Sequence, residues 1–244
     1  MKLTDQQKRF FDDFGYIFLP GLMAEEIGWI TEEYERSFTE NGITHDGTER
    51  SSLGNIVEKN EQLFALLDNP KVDGLLAGLM GDDYNYLDSG ADLYVGGGMW
   101  HPDCHDAPVL QIKWAMYLES LTRETGALRV VPGSHKQGWI GNLDTESLWG
   151  ITDDEVPCVA PDNTPGDVMV FNQATLHNSL KGGSRRRMLN IVACAHCETE
   201  QEKQFLRRRL PKTREDLLWD RMIETAGEKR MRHLRQPLSV LNGA

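Results

Sequence analysis

Apolar positions in the first 83 residues recur every three or four residues, the spacing of amphipathic helices. Thr4 stands where the first of these helices should begin, and Gly15 stands where it should end. The apolar run that follows, residues 16–19, predicts a short strand. This part of the chain is therefore predicted to be rich in helix, with helices over 3–14, 24–39, 61–67 and 72–80.

The pattern changes at residue 84, where short β-prone runs begin to alternate with Gly, Pro, Asp and Asn. Six such runs are visible, over 84–95, 108–118, 126–133, 154–160, 166–177 and 185–195. Strands at this short spacing predict an antiparallel barrel or sandwich. We therefore expect one domain over 1–244, with a helix-rich part (1–83), a β core (84–200) and a charged helical tail (201–244).

Charge and hydropathy narrow the range of partners. The net charge of −12 argues against nucleic acid, because phosphate binding needs a basic face. No apolar run is long enough to span a membrane, and the N-terminus lacks the pattern of a signal peptide, so we expect a cytoplasmic protein without membrane contact. The tail is basic, and it could be a solvated helix, a lid, or a contact that pairs two subunits as a homodimer.

Three residues could hold a metal ion. His101 and Asp103 lie two positions apart, so in an extended segment both side chains point to the same side. His177 follows the apolar run 168–171 and would reach the same ion from another strand. Two imidazoles and one carboxylate on an octahedral Fe(II) leave positions open for a keto acid and O₂. We therefore expect His101, Asp103 and His177 to be the metal-binding and catalytic residues.

Other side chains close to this motif are candidates to face a substrate. His105 has the same strand parity as His101 and Asp103, which makes it a rival ligand. Because a third ligand from this segment would leave His177 without a role, we interpret His105 as substrate-facing. Trp100 and Tyr117 offer apolar or stacking surface near the site, and we place them with His105 as candidates.

A dicarboxylate co-substrate such as 2-oxoglutarate needs a cation for its far carboxylate, and the planar guanidinium of arginine suits it best. Arg186 shares a strand face with the polar Asn190, so Arg186 is our choice, with Arg187 as the alternative. Ser179 shares a face with His177 and could donate a hydroxyl hydrogen bond. Lys113 lies on a polar face of the run 108–118, and we expect it to meet a carboxylate of 2-oxoglutarate or of the substrate. Gln111 lies on the same face and is a further candidate for binding the co-substrate.

Four segments in the same order resemble the phytanoyl-CoA dioxygenase family. They are FFDDFGYIFLPGLMAEEI (10–27), WHPD (100–103), YLESLTRETGALRVVPGSHKQG (117–138) and PGDVMVFNQATLHNSLKGGSRRR (165–187). The resemblance implies a mixed, mainly β fold: a double-stranded β-helix, or jelly-roll, core with flanking N- and C-terminal α-helices. It also implies Fe(II) at His101, Asp103 and His177, with Arg186 and Ser179 on the far carboxylate of 2-oxoglutarate.

The resemblance further implies a dioxygenase that consumes O₂ and 2-oxoglutarate and releases CO₂ and succinate. Related halogenating enzymes lack the carboxylate ligand; because Asp103 is present, we expect hydroxylation of an unactivated C–H in a small metabolite or natural-product intermediate. Two alternatives stay open. A jelly-roll isomerase or cofactor-independent dioxygenase would leave Arg186 and Ser179 without a ligand, and a non-catalytic binding protein would be marked by a broken triad.

Overall fold

Helices precede and follow a block of strands in the computed structural model, which describes residues 2–212 and 215–242. The α-helices are α1 (Asp5–Phe14), α2 (Ile27–Glu40), α3 (Ile56–Lys59), α4 (Ala65–Asp68), α5 (Pro70–Met80), α6 (Thr145–Trp149), α7 (Glu200–Arg209), α8 (Asp220–Glu224) and α9 (Glu228–Asn242). The strands are β1 (Tyr16–Leu19), β2 (Ser51–Gly54), β3 (Asn85–Tyr94), β4 (Gln111–Tyr117), β5 (Arg129–Val130), β6 (Val168–Asn172), β7 (His177–Asn178) and β8 (Arg186–Cys194).

The first predicted helix forms where its capping residues indicate. The Thr4 hydroxyl accepts a hydrogen bond from the Gln7 amide at 3.2 Å, and the Gln7 side chain accepts one from the Thr4 amide at 2.9 Å. This reciprocal capping box satisfies two amides that a helix start leaves unpaired. Gly15 ends α1 in the left-handed conformation, with a φ of 78°. The apolar periodicity and these two termini together define α1.

The strands form two antiparallel sheets that face each other. The large sheet has the order β1-β6-β4-β8-β3-β2, and β5 pairs with β7 in a small second sheet. On the inner face of the large sheet, Tyr117, Phe171 and Met188 pack against Leu128 and Val130 from the opposite side. This arrangement is the jelly-roll core with flanking helices that the family resemblance implied.

The N-terminal part contributes to the sheet more than its helix-rich pattern suggests. Strand β1 pairs with β6 at one edge of the large sheet, and β2 pairs with β3 at the other edge. The sequence predicted β1 but not β2, because the four residues SSLG of β2 lack both length and apolar alternation. Both edges of the core are therefore formed by residues that precede position 84.

One predicted strand is wrong. Residues 154–160 make only an isolated bridge between Val159 and Val130, and Asp153–Glu155 forms a turn of 3₁₀ helix instead. Pro157 and Pro161 flank this bridge, and proline lacks the amide hydrogen that a strand must donate. The predicted run 166–177 also divides, into β6 and β7, at the turn formed by residues 173–176.

The helical tail packs on its own chain. Leu206, Trp219, Met222 and Leu234 are buried in the same core as Trp114, on the outer face of the large sheet. Among the described residues, none of the tail lines the cavity of the inner face, so the structure gives no support to the tail as a lid. A homodimer through the tail stays a prediction, and positions 213, 214, 243 and 244 of the predicted tail lie outside the described residues.

Within the described part of the chain, every helix is too short or too polar to cross a bilayer.

Gly15 should be essential for stability because two constraints meet there. Its φ is positive, and a Cβ at this position would overlap the His135 ring and lie 2.6 Å from Thr175 Oγ1. We expect Gly15→Ala to lower the free energy of unfolding by about 1–3 kcal/mol more than Gly21→Ala does. Gly21 also has a positive φ, but its Cβ would meet nothing within 4 Å, so it isolates the steric term. Equal losses in urea denaturation of the two variants would contradict this account.

Candidate metal and co-substrate site

A reciprocal pair of backbone hydrogen bonds brings two distant segments together. The His101 amide donates to the His177 carbonyl at 3.2 Å, and the His177 amide donates to the His101 carbonyl at 3.1 Å. The Asp103 amide is fixed in turn by the Gln173 carbonyl at 2.8 Å. The two imidazole rings consequently lie side by side, with centroids 4.4 Å apart. The predicted metal-binding residues therefore converge at one point.

Both imidazoles direct the same ring nitrogen at the carboxylate. His101 Nδ1 bonds the Met99 carbonyl at 2.8 Å, and His177 Nδ1 bonds the Thr175 carbonyl at 3.0 Å. A carbonyl only accepts, so each Nδ1 carries the proton and each Nε2 keeps a free lone pair. Nε2 of His101 lies 3.8 Å, and Nε2 of His177 lies 3.6 Å, from the Asp103 carboxylate oxygens. The three ligand atoms all lie within 4.8 Å of one another.

The environment sets the protonation that a metal ion requires. Burial lowers the pKa of His177 from 6.5 to about 4, although the nearby Asp103 opposes this shift. Burial alone would raise the pKa of Asp103, but His177, Lys113 and His101 lower it to about 2. Near neutral pH, His177 is therefore neutral and Asp103 is ionised, which are the forms that coordinate a metal.

The donor set fits a divalent iron ion by its chemistry. Two neutral imidazole nitrogens and one carboxylate are the 2-His-1-carboxylate set that leaves positions open on Fe(II). Asp103 Oδ2 is buried and has no partner in hydrogen-bonding geometry among the described residues, although the Lys113 ammonium lies 2.5 Å away. Lys113 partly compensates the charge of this buried carboxylate, and a divalent ion held with the two histidines would compensate it further.

Arg186 enters the same cavity and is held in a narrow cradle. Its Nη1 donates to the carbonyls of Gly96 and Lys181, each at 3.1 Å. A Cβ on Gly126 or on Gly182 would overlap this same nitrogen, so both glycines make room for the guanidinium. The Arg186 Nε is buried and has no partner among the described residues. A buried cationic donor without a partner fits an anionic ligand such as a carboxylate.

Ser179 and Tyr117 lie beside Arg186. The hydroxyl of Ser179 donates to the Gly126 carbonyl at 2.7 Å, which forms part of the cradle. Burial raises the pKa of the Tyr117 phenol, while Arg186 and a hydrogen bond with Ser179 lower it. The sequence placed Tyr117 towards a substrate; the structure brings it instead to the end of the cavity that Arg186 and Ser179 share.

The cavity that contains these groups lies between the two sheets and has a volume of about 550 Å³. Lys113 also lines it, as the polar face of its strand predicted. The ionisable side chains His101, Asp103, Lys113 and His177 line one end of the cavity, while Leu53, Met99 and Leu128 add apolar surface. The cavity thus has room for a dicarboxylate and a second small molecule.

Four candidates from the sequence lie outside this cavity. Trp100 is fully buried with Leu143, and its indole donates to the Asp153 carbonyl at 2.9 Å, so it faces no substrate. His105 is exposed and lines a different surface depression. Gln111, at the end of the polar face, turns to Cys104 Sγ at 2.9 Å. The structure therefore places none of Trp100, His105 and Gln111 where the sequence predicted. Closeness to the motif in sequence, or strand parity, does not decide whether a side chain reaches the cavity.

Arg187 is the fourth candidate that lies outside the cavity. Its guanidinium pairs with Glu35 at 2.7 Å and with Glu119, on the opposite face of β8 from Arg186. Adjacent residues of a strand point to opposite faces, so only one of the two could enter the cavity. The structure brings Arg186 in and leaves Arg187 out, as the polar Asn190 on the Arg186 face indicated.

The sequence did not indicate six other polar residues that line the cavity, which are Arg50, Ser52, Asp92, Tyr94, Asn142 and Asn178. Asp92 and Tyr94 lie on the inner face of β3, and Arg50 precedes the short edge strand β2. The parity of β3 could have identified Asp92 and Tyr94, because they alternate with the buried Ala91 and Leu93. No local pattern in the sequence distinguishes Arg50 from an ordinary surface arginine.

A comparison with family models decides the identity. Residues 11–188 match the model of the phytanoyl-CoA dioxygenase family. The chain belongs to this family. The match confirms the resemblance of the four segments and includes all three residues of the metal site. No curated protein matches the chain in a sequence search.

Solved structures confirm the fold at low sequence identity. EctD from S. alaskensis, with 2-oxoglutarate and 5-hydroxyectoine, is 21% identical with a TM-score of 0.66, over 79% of this chain and 76% of its own. HygX from Streptomyces hygroscopicus, with nickel and 2-oxoglutarate, is 16% identical with a TM-score of 0.67, over 82% and 90%. The carbocyclase SnoK from nogalamycin biosynthesis is 20% identical with a TM-score of 0.65, over 79% and 84%.

Membership of the phytanoyl-CoA dioxygenase family makes the chain a 2-oxoglutarate-dependent non-haem iron oxygenase. Fe(II), 2-oxoglutarate and O₂ are its cofactor and co-substrates, as the sequence predicted. The expectation of a non-catalytic binding protein is therefore set aside, as is that of an enzyme which needs no 2-oxoglutarate.

Acid should destabilise the metal-free protein through His177. Folding lowers the pKa of His177 from 6.5 to about 4, so between these pH values the unfolded chain binds the extra proton. The free energy of unfolding should therefore fall as the pH drops from 6.5 to 4, by roughly 3 kcal/mol at most from this residue. Urea denaturation in the presence of a chelator should show a smaller fall for His177→Gln, with His105→Gln as the control for loss of an imidazole outside the cavity. An unchanged fall in His177→Gln would rule this out.

The cradle of Arg186 can be tested at two adjacent glycines. A Cβ on Gly182 would overlap Arg186 Nη1, whereas a Cβ on Gly183 would meet nothing within 4 Å. We expect Gly182→Ala to weaken 2-oxoglutarate binding by about tenfold or more through displacement of the guanidinium, and Gly183→Ala to leave it near the wild-type value. Calorimetric titration of the metal-loaded proteins measures both. Similar affinities in the two variants would show that the cradle does not position Arg186.

Proposed function

We propose that this oxygenase hydroxylates an unactivated C–H bond of a small metabolite or natural-product intermediate, with release of CO₂ and succinate. In this proposal His101, Asp103 and His177 hold Fe(II), and Arg186 with Ser179 holds the far carboxylate of 2-oxoglutarate. The observation that supports it most is the convergence of all five side chains in one cavity. Bound Fe(II), with 2-oxoglutarate and O₂, supplies the oxidising power.

The metal roles rest on geometry and charge together. The two Nε2 atoms and the Asp103 carboxylate face one another at 3.6–3.8 Å, and the backbone holds both rings through their Nδ1 atoms. Such bonds from Nδ1 to carbonyls orient ligand histidines and keep them in the binding tautomer. The ligand side chains are therefore already oriented before an ion binds. This is the preorganisation that a site for an exchangeable ion needs.

The co-substrate roles rest on the cradle. Arg186 is only 2% exposed, and stacking against the Tyr94 ring at 5.0 Å adds to the two carbonyl contacts that fix its plane. Its unpartnered Nε is then available to a carboxylate oxygen. Ser179 and Tyr117 add hydroxyls beside it.

Hydroxylation is the reaction that the donor set favours. The third ligand position is filled by Asp103, so the site has a full set of protein ligands and no protein-made vacancy for a halide. The side chains of Phe171, Leu128 and Met188 line the cavity with buried apolar surface, which would limit the access of water to the reacting groups. The substrate would then be oxidised beside the ion without being a ligand itself.

The 2-oxoglutarate assignment is tested at two neighbouring arginines. Anaerobic addition of Fe(II) and 2-oxoglutarate should produce the weak visible charge-transfer band of the chelate. We expect Arg186→Gln to raise the dissociation constant for 2-oxoglutarate by roughly 10- to 100-fold, the value of a charge-assisted hydrogen bond. Arg187→Gln removes the same charge on the other face of β8 and should leave the constant near that of the wild type. The reverse order would refute the assignment.

The hydroxylation itself is tested with isotopic oxygen once a substrate is known. Turnover under ¹⁸O₂ should give a product with one added oxygen atom, and that atom should be labelled. A product that has lost two hydrogens, or that has changed configuration without gaining oxygen, would replace hydroxylation by desaturation or epimerisation while the oxygenase class stands.

A further inference from the structure

The cavity contains a second arginine that the proposed chemistry does not use. Arg50 lines the mouth of the cavity, and its side chain is 54% exposed. Its guanidinium lies over the Tyr94 ring at 4.6 Å, and Arg186 lies over the same ring at 5.0 Å. Arg50 therefore belongs to the same cavity as the co-substrate arginine, on another wall of it.

A built set of contacts fixes the orientation of Arg50. Its Nε and Nη2 donate to the same oxygen of Asp92, at 2.9 and 2.6 Å, and the Ser52 hydroxyl donates to that oxygen at 2.6 Å. Asp92 is itself buried, with 5% exposure. A guanidinium has two edges that can bind a carboxylate, and here one edge is committed to Asp92. The remaining nitrogen, Nη1, donates to no described residue, and because Arg50 lines the cavity this nitrogen is available to a ligand there.

The charge of the loaded cavity points to an anionic ligand. Its lining carries three cations, Arg50, Lys113 and Arg186, against two carboxylates, Asp92 and Asp103. A ferrous ion and a 2-oxoglutarate dianion cancel each other, so one positive charge is left uncompensated after loading. A low-dielectric cavity that is lined this way favours a ligand with one negative charge, although the chain as a whole carries −12.

We propose that Arg50 is the anchor for a carboxylate on the substrate of this oxygenase, so that the substrate is a small organic acid. The inference rests on the proposed function, because it assigns Arg186 to 2-oxoglutarate and leaves Arg50 for the second molecule. The planar fork matches a carboxylate better than a spherical anion. Leu53, Met99 and Leu128 provide apolar surface for the rest of the molecule.

The test uses acids and their matched neutral amides on protein that is loaded anaerobically with Fe(II) and saturating 2-oxoglutarate. Hexanoate and 3-phenylpropanoate are each compared with the corresponding primary amide. The readouts are the shift of the visible chelate band and the shift of the thermal midpoint. We expect the wild type to bind at least one acid about tenfold or more tightly than its amide, the value of a charge-assisted hydrogen bond.

Three variants separate the role of Arg50 from a general charge effect. Arg50→Gln should abolish the preference for the acid, and Arg50→Lys, which keeps the charge but loses the fork, should retain part of it. Arg9→Gln removes an exposed positive charge on α1 and should keep the full preference. All four proteins should bind 2-oxoglutarate with similar affinity, as judged by titration of the same band.

Any of the following results would overturn the proposal. A wild-type protein that binds no acid, or that binds acid and amide equally, has no carboxylate anchor. A preference that survives in Arg50→Gln places the anchor elsewhere. A loss of 2-oxoglutarate affinity in Arg50→Gln makes Arg50 a co-substrate residue instead. If the visible band does not form in the wild type, the proposed iron and 2-oxoglutarate sites fail first, and that failure is visible before any acid is added.

Discussion

The site depends on the antiparallel pairing of His101 with His177. Two backbone hydrogen bonds, at 3.1 and 3.2 Å, join a loop and a two-residue strand that are 76 positions apart. These bonds set the distance between the two backbone segments. They therefore also set the separation of the two Cα atoms that carry the imidazole rings. The bonds from both Nδ1 atoms to carbonyls then remove the remaining rotation. Everything else in the cavity is arranged around this pair.

Strand parity distributes the other functional groups. On the inner face of the large sheet, β4 presents Lys113 and Tyr117, and β8 presents Arg186. The next residue, Arg187, faces the other way and forms ion pairs with Glu35 and Glu119. A shift of one residue in β8 would exchange these two arginines and remove the cation from the cavity. The long register of β8 with both β3 and β4 opposes such a shift.

Lys113 contacts a carboxylate of the protein itself, whereas the sequence predicted that it would meet a carboxylate of 2-oxoglutarate or of the substrate. It lies 2.5 Å from Asp103 Oδ2, so it contacts one of the three candidate metal ligands. Its positive charge helps to hold the pKa of Asp103 at about 2. Together with Arg50 and Arg186 it gives the cavity a positive balance within an acidic protein. The local field at the site is therefore opposite in sign to the net charge of the chain.

The sequence predicted those features that depend on local pattern. Helix α1 has a capping box and a terminal glycine, and the HxD spacing with a distal histidine predicted three candidate ligands that the fold brings together. Arg186 could be chosen over Arg187 because strand parity is a local property. Trp100, His105 and Gln111 were misplaced for the converse reason. Their orientation is set by the chain around them: Trp100 by the Leu143 cluster and Gln111 by Cys104.

Arg50 could not be found in the sequence because its partner Asp92 is 42 positions away, and β2 has no recognisable pattern. The same limit applies to the cradle of Arg186. Gly126 and Gly182 are ordinary turn glycines in the sequence, and only the fold shows that they make room for one guanidinium. Long-range contacts of this kind determine what the cavity can bind. The local sequence pattern indicates only the candidate metal ligands and the strands that carry them.

A crystal structure of the protein with Mn(II) and 2-oxoglutarate would show which side chains hold the ion and which hold the far carboxylate. We expect one ion bound by His101 Nε2, the Asp103 carboxylate and His177 Nε2. We also expect the far carboxylate of 2-oxoglutarate on Arg186, with Arg50 still paired to Asp92. An ion that lacks any of the three protein ligands, or a far carboxylate that sits on Lys113 or Arg50, would contradict the account.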